Sequence, residues 1–154
     1  MVDYLTHEYF MLEALKEAEK AKSFDEVPVG AIIVKDGKII ARAHNLRETL
    51  NDPTAHAEVL AIRKASEVLN NWRLIGCSLY VTLEPCPMCA GAIIQSRISN
   101  LYIGAFDGTT GCCGSVCNIT QNEYLNTFIN TKWMYNNKCS EILSDFFKKK
   151  RMKR

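Results

Sequence analysis

The chain has 154 residues, 47% of them hydrophobic and 23% charged, an ordinary balance for a soluble protein and the length of one domain. A domain of this size buries roughly 70% of its unfolded surface, so its core needs no staples. The net charge of +2 excludes little by itself, but its placement is uneven: Lys148, Lys149, Lys150, Arg151, Lys153 and Arg154 crowd the last seven residues.

The start, Met1-Val2-Asp3-Tyr4-Leu5-Thr6-His7-Glu8, has acids and no apolar h-region, which argues against a signal peptide. A first helix is expected from about His7 to Lys22, with Met11, Ala14, Leu15 and Ala18 as its apolar stripe and Thr6 as N-cap. Gly30 to Val34 and Lys38 to Ala43 read as strands joined by an Asp36-Gly37 type I′ turn. Thr54 is expected to cap a second helix, Ala55 to Leu69, with Val59, Ile62 and Ala65 or Ser66 facing inward. Leu79 to Leu83 reads as a buried strand. A third helix opens at Cys86 or Pro87, where proline suits the first turn, and runs to about Gln95. Leu101 to Ala105 is the next strand, completing a βαβ unit and making part of the sheet parallel.

Gly104 to Gly114 should be a loop near the mouth of a site. Residues 116–140 lack a clean period, and Tyr124 to Ile129 is the strand expected there. A basic terminal helix follows from about Glu141 to Arg151, with Ile142, Leu143, Phe146 and Phe147 on its apolar side. No stretch of about 18 apolar residues exists, so no membrane span is expected. The sum is a single α/β domain over residues 1–154: a three-layer α/β/α fold around a mixed sheet of about five strands.

His56-Ala57-Glu58 and the later Pro85-Cys86-Pro87-Met88-Cys89 carry the chemistry. One imidazole and two thiolates make three zinc ligands, and a catalytic zinc keeps its fourth position open for water. Cys86 and Cys89 are three apart at a helix start, so both sulfurs share a face, and the positive helix end favours thiolates. Glu58 is then free to move protons. Ideal helical spacing alone does not bring His56 and Glu58 into one pocket.

Two other readings stand beside this one. Cys-x-x-Cys near a βαβ unit also fits a redox pair. A structural zinc site would take its fourth ligand from Cys77, Cys112, Cys113 or Cys117. The seven cysteines are otherwise expected to be thiols or ligands, not disulfides, in a reducing cytoplasm. His7 and His44 stand alone, and no catalytic role is expected of them.

Histidine-x-glutamate with a later proline-cysteine-x-x-cysteine resembles the zinc nucleobase deaminases, with their cytidine deaminase-like fold. Further runs narrow the resemblance: Glu26-Val27-Pro28-Val29-Gly30-Ala31, Ala43-His44-Asn45-Leu46-Arg47, Asp52 to Glu58, Leu79 to Ala92, Gly104-Ala105-Phe106-Asp107 and Leu143-Ser144-Asp145-Phe146-Phe147. Over nearly the whole chain it is similar to the bacterial tRNA-specific adenosine deaminases, which convert the wobble adenosine of an anticodon to inosine. The zinc motifs alone also fit deaminases of free guanine or cytidine.

The resemblance implies one zinc per subunit on His56, Cys86 and Cys89, with Glu58 as proton shuttle. It implies that Asn45 binds the nucleoside and that Val29 lies against the base, with Ala57 and Pro85 beside them. Asp107, Phe146, Phe147, Lys148 and Arg151 would touch the anticodon stem-loop, and the protein would be a homodimer. Leu125-Asn126-Thr127 lacks the histidine that family members carry after the asparagine, which bears on the dimer and RNA surface. Phe106 replaces an arginine found in some members, so the contact there is expected to be stacking.

Overall fold

The computed structural model describes residues 4–153. In chain order they form α1 (Tyr4–Ser23), β1 (Gly30–Lys35), β2 (Lys38–His44), α2 (Ala57–Leu69), β3 (Ser78–Val81), α3 (Pro87–Gln95), β4 (Asn100–Ile103), β5 (Asn130–Trp133) and α4 (Asn137–Met152). The sheet order is β2-β1-β3-β4-β5. β1 pairs antiparallel with β2 and β3, while β3–β4 and β4–β5 are parallel. The βαβ expectation holds, because α3 is the crossover that lets β4 return beside β3 in the same direction.

Alternation along the strands sends side chains to two separate cores. Ile33, Leu79, Leu101 and Ile103 meet Ala57, Ala61, Ala65, Ala90 and Ile93 of α2 and α3 on one face. Ile32, Val34, Tyr80 and Tyr102 meet Phe10, Met11 and Ala14 of α1 and Cys139 of α4 on the other. That is the expected three-layer α/β/α arrangement. Asp36 and Gly37 both have positive φ, 50° and 75°, as the type I′ turn requires.

Several expectations fail for local reasons. Thr54 does not cap α2: its N–H and hydroxyl both bond to Asp52 Oδ1, at 2.8 and 2.7 Å, in a turn of their own. α2 therefore starts at Ala57 with His56 as N-cap. Its buried stripe is Ala57, Ala61 and Ala65; Val59 and Ile62 are half-buried. Small alanines let the helix lie close to the sheet and leave the bulkier side chains on its flanks.

Tyr124 to Ile129 is not a strand. Asn122 takes the Tyr124 N–H on its side chain and the Leu125 N–H on its carbonyl, closing a turn. Tyr124 is 87% exposed. The edge strand is the more polar β5 that follows. Cys112 and Cys117 form a disulfide in the loop after β4, against the expectation of free thiols; Cys77, Cys86, Cys89, Cys113 and Cys139 are free. His7 bonds Tyr80 Oη at 2.6 Å and stacks on Tyr102, and His44 bonds Glu17 at 3.1 Å.

Candidate metal centre and substrate cleft

His56 and Cys86 are the N-caps of α2 and α3, and both have extended backbone with no side-chain capping bond. His56 is extended and lies outside α2, so the spacing within a helix does not govern its direction relative to Glu58, and both side chains line one cleft. Cys86 at the N-cap and Cys89 three residues on approach each other as the two members of a capping box do. The two helix N-termini converge and bring their partial positive charge to one point.

His56 Nδ1 lies 3.7 Å from Cys86 Sγ and 3.5 Å from Cys89 Sγ. The three ligand atoms all fall within 4.8 Å of one another, and they are the group among the described residues placed to hold a metal. Zinc–sulfur and zinc–nitrogen bonds of about 2.3 and 2.05 Å in a tetrahedron demand a nitrogen–sulfur edge of about 3.6 Å. The observed edges match that, so the donor set fits zinc in size as well as chemistry. Cys112 and Cys117 are bonded to each other, and neither Cys77 nor Cys113 joins the cluster. The geometry therefore favours an open fourth position over a closed structural site.

The protonation chemistry agrees. A hydrogen bond from the Cys89 thiol draws Cys86 down to about 4; burial opposes the fall, and the His56 contact adds to it. The same hydrogen bond, then burial, pushes Cys89 upward. The bond to Cys86 raises His56. Cys86 is thus drawn toward the thiolate that a metal ligand must be, and binding of a divalent cation would displace the protons that remain on the trio. Burial raises Glu58 above its ordinary value, offset in part by its own backbone N–H and the Cys89 thiol. Glu58 is 4% exposed.

A cleft of about 540 Å³, counting the space at its mouth that is open to solvent, lies over these residues. Val29, Asn45, His56, Ala57, Glu58, Cys86 and Asp107 line it. Cys89 is buried, and Pro85 is buried with its carbonyl accepting the Cys112 N–H at 2.9 Å. Asn45 is held from both ends: its Nδ2 donates to Val27 O at 3.3 Å, and its Oδ1 accepts from Arg47 N at 3.0 Å.

Val27, Arg47, Leu83, Glu84 and Thr110 also line the cleft, and sequence reasoning gave them no role. Arg47 and Glu84 sit inside motifs quoted above, so adjacency to Asn45 and Cys86 was the signal available. Phe146, Phe147, Lys148 and Arg151 are not part of the cleft lining. Phe146 is buried, edge-on to Phe147 and with Lys150 Nζ 5.4 Å from its ring centroid; Phe147 is 44% exposed. Lys148 and Arg151 are exposed on α4.

Residues 5–105 match the family model for the cytidine and deoxycytidylate deaminase zinc-binding region. The chain is 49% identical over 148 residues to a tRNA-specific adenosine deaminase of Bacillus subtilis, covering 96% of this chain and 92% of that one. It is 53% identical over 146 residues to a tRNA-specific adenosine deaminase of Aquifex aeolicus, covering 94% and 95%. A solved structure from studies of A-to-I editing by tRNA:A34 deaminases superposes with a TM-score of 0.85 at 44% identity, covering 88% of this chain and 99% of that one. The chain belongs to the zinc-binding cytidine and deoxycytidylate deaminase family and, within it, to the tRNA-specific adenosine deaminases.

Proposed function

We propose that the chain hydrolyses the 6-amino group of adenosine at the wobble position of a tRNA anticodon, giving inosine and ammonia. The observation that carries this reading is the buried Glu58 beside a zinc-sized His56–Cys86–Cys89 trio at an open cleft lined by Val29 and Asn45. Zinc held by the trio supplies the Lewis acidity that makes water a nucleophile near neutral pH. Glu58 takes a proton from the attacking water and gives it to N1 of the purine. As the water oxygen bonds to C6, Glu58 collects the remaining hydroxyl proton and passes it to the exocyclic amine, whose C6–N bond breaks to release ammonia. A raised proton affinity suits a carboxylate that must be base and then acid.

Asn45, locked by Val27 and Arg47, presents a fixed amide edge to the nucleoside, and Val29 supplies an apolar wall. Phe106, 64% exposed beside Asp107, offers a stacking face for a neighbouring splayed base. Lys148 and Arg151 would meet phosphates of the stem. A homodimer is the assembly of this reading, with one zinc per subunit; Met88 and Val59, left exposed and half-buried at the starts of α3 and α2, support an interface near the cleft. On this reading the chain acts in the cytoplasm, beside its tRNA substrate.

The experiment is inosine detection in an anticodon stem-loop with adenosine at its first anticodon position, against free adenosine, guanine and cytidine. Inosine should form in the stem-loop and stop when a chelator strips the metal. Ammonia from a free base but not from the stem-loop would replace this reading with the free-base deaminase.

A further inference from the structure

We propose that Glu84 is a positioning residue: its carboxylate fixes the loop over residues 105–117 against the cleft, so that Asp107 and Thr110 form its rim. This rests on reading the cleft as the adenosine site. Glu84 is 2% exposed, lines the cleft, and stands two residues before Cys86. Its Oε1 accepts the Asp107 N–H at 2.9 Å and the Ser115 hydroxyl. Its Oε2 accepts the N–H groups of Cys113 and Ser115, both at 3.0 Å. A carboxylate has about four lone-pair sites, and one loop fills all of them. No acceptor capacity remains for substrate, so Glu84 acts through the loop.

The loop is built around this anchor. Asp107 Oδ1 accepts the Thr109 N–H, the Thr109 hydroxyl and the Thr110 N–H at 2.9, 2.7 and 3.2 Å, and Oδ2 accepts the Thr110 hydroxyl at 2.9 Å. The rim turn is therefore closed locally and needs only to be placed. Gly111 marks where the carboxylate enters: a Cβ there would lie 2.3 Å from Glu84 Cδ and 2.5 Å from Asp107 O. A buried carboxylate is costly unless its oxygens are bonded, and an apolar side chain would fill the same volume more cheaply. The order it imposes on the rim accounts for its presence.

The test uses the zinc-loaded full chain and two variants. Glu84→Gln keeps the shape but turns an NH₂ toward at least one backbone N–H. Gly111→Ala keeps the carboxylate and displaces it. Zinc content should stay at about one per chain in both. Amide exchange at Asp107, Cys113 and Ser115 should quicken by about tenfold or more. KM for the stem-loop should rise about tenfold with kcat within about threefold. Unchanged exchange at those amides, or a loss confined to kcat, overturns the proposal. If Glu84→Gln does not fold, Gly111→Ala decides on the same readouts. A wild-type chain that makes no inosine would instead sink the deaminase reading and leave the exchange result standing.

Discussion

Two buried glutamates make opposite demands on protons. Glu58 is raised by burial and is proposed to shuttle protons; replacing it with alanine removes the shuttle and none of the three metal ligands. Zinc content should therefore hold while kcat falls by about 10³-fold, within the range for general acid–base catalysis; a variant that keeps both metal and turnover refutes the role. Glu26, 1% exposed, is lowered instead. Burial works to raise it, but the N–H groups of Thr49 at 2.6 Å and Glu48 at 3.1 Å prevail, together with the Thr49 side chain. Its folded value lies below the ordinary 4.5, so its contribution is complete above that pH and is lost as pH falls through the lowered value. The Glu48 and Thr49 amides, next to the cleft residue Arg47, should lose exchange protection in that acid window. Glu26→Gln should flatten the pH dependence, and an equal slope in both proteins would count against the assignment.

Elements with a strong period were legible in the residues. The stripe of Met11, Ala14 and Ala18 set α1, and the βαβ spacing set the parallel half of the sheet. What failed did so where side chains satisfied the backbone locally. Asp52 took Thr54 out of capping, and Asn122 turned an apolar-looking run into a loop. One packing constraint was also invisible from sequence. At Gly30 a Cβ would sit 2.0 Å from Ala14 O and 2.5 Å from Ala18 N, so β1 touches the α1 backbone itself. Backbone cannot rotate aside as a side chain can. Gly30→Ala should cost about 2–3 kcal/mol, the usual scale of overpacking, and lower Tm by roughly 5–10 °C in a chain of this size. A Tm unchanged in thermal unfolding would mean that α1 shifts on the sheet without strain.

Across the whole molecule, the sequence named the metal-binding residue types but not how two helix starts could bring them together; the extended caps at His56 and Cys86 supply that. The cleft rim was less legible, because Glu84 and Gly111 act by contacts between segments far apart in the chain. The tail was legible as charge but not as geometry. Phe146 belongs to the core, and Lys150 is committed to Asp25 at 3.4 Å. Among the exposed cations of the tail are Lys148 and Arg151 on α4 and Lys153 at its end. Replacing these three with alanine leaves the Lys150 pair and the Phe146 packing in place, which a truncation would not. Each cation that no longer neutralises a phosphate should reduce the slope of log affinity against log salt by about 0.7 to 0.9. If two of the three touch RNA, the slope for stem-loop binding should flatten by about 1.5, with kcat at saturating RNA unchanged. Weaker binding at an unchanged slope would place the tail's effect in packing and leave phosphate recognition to another face.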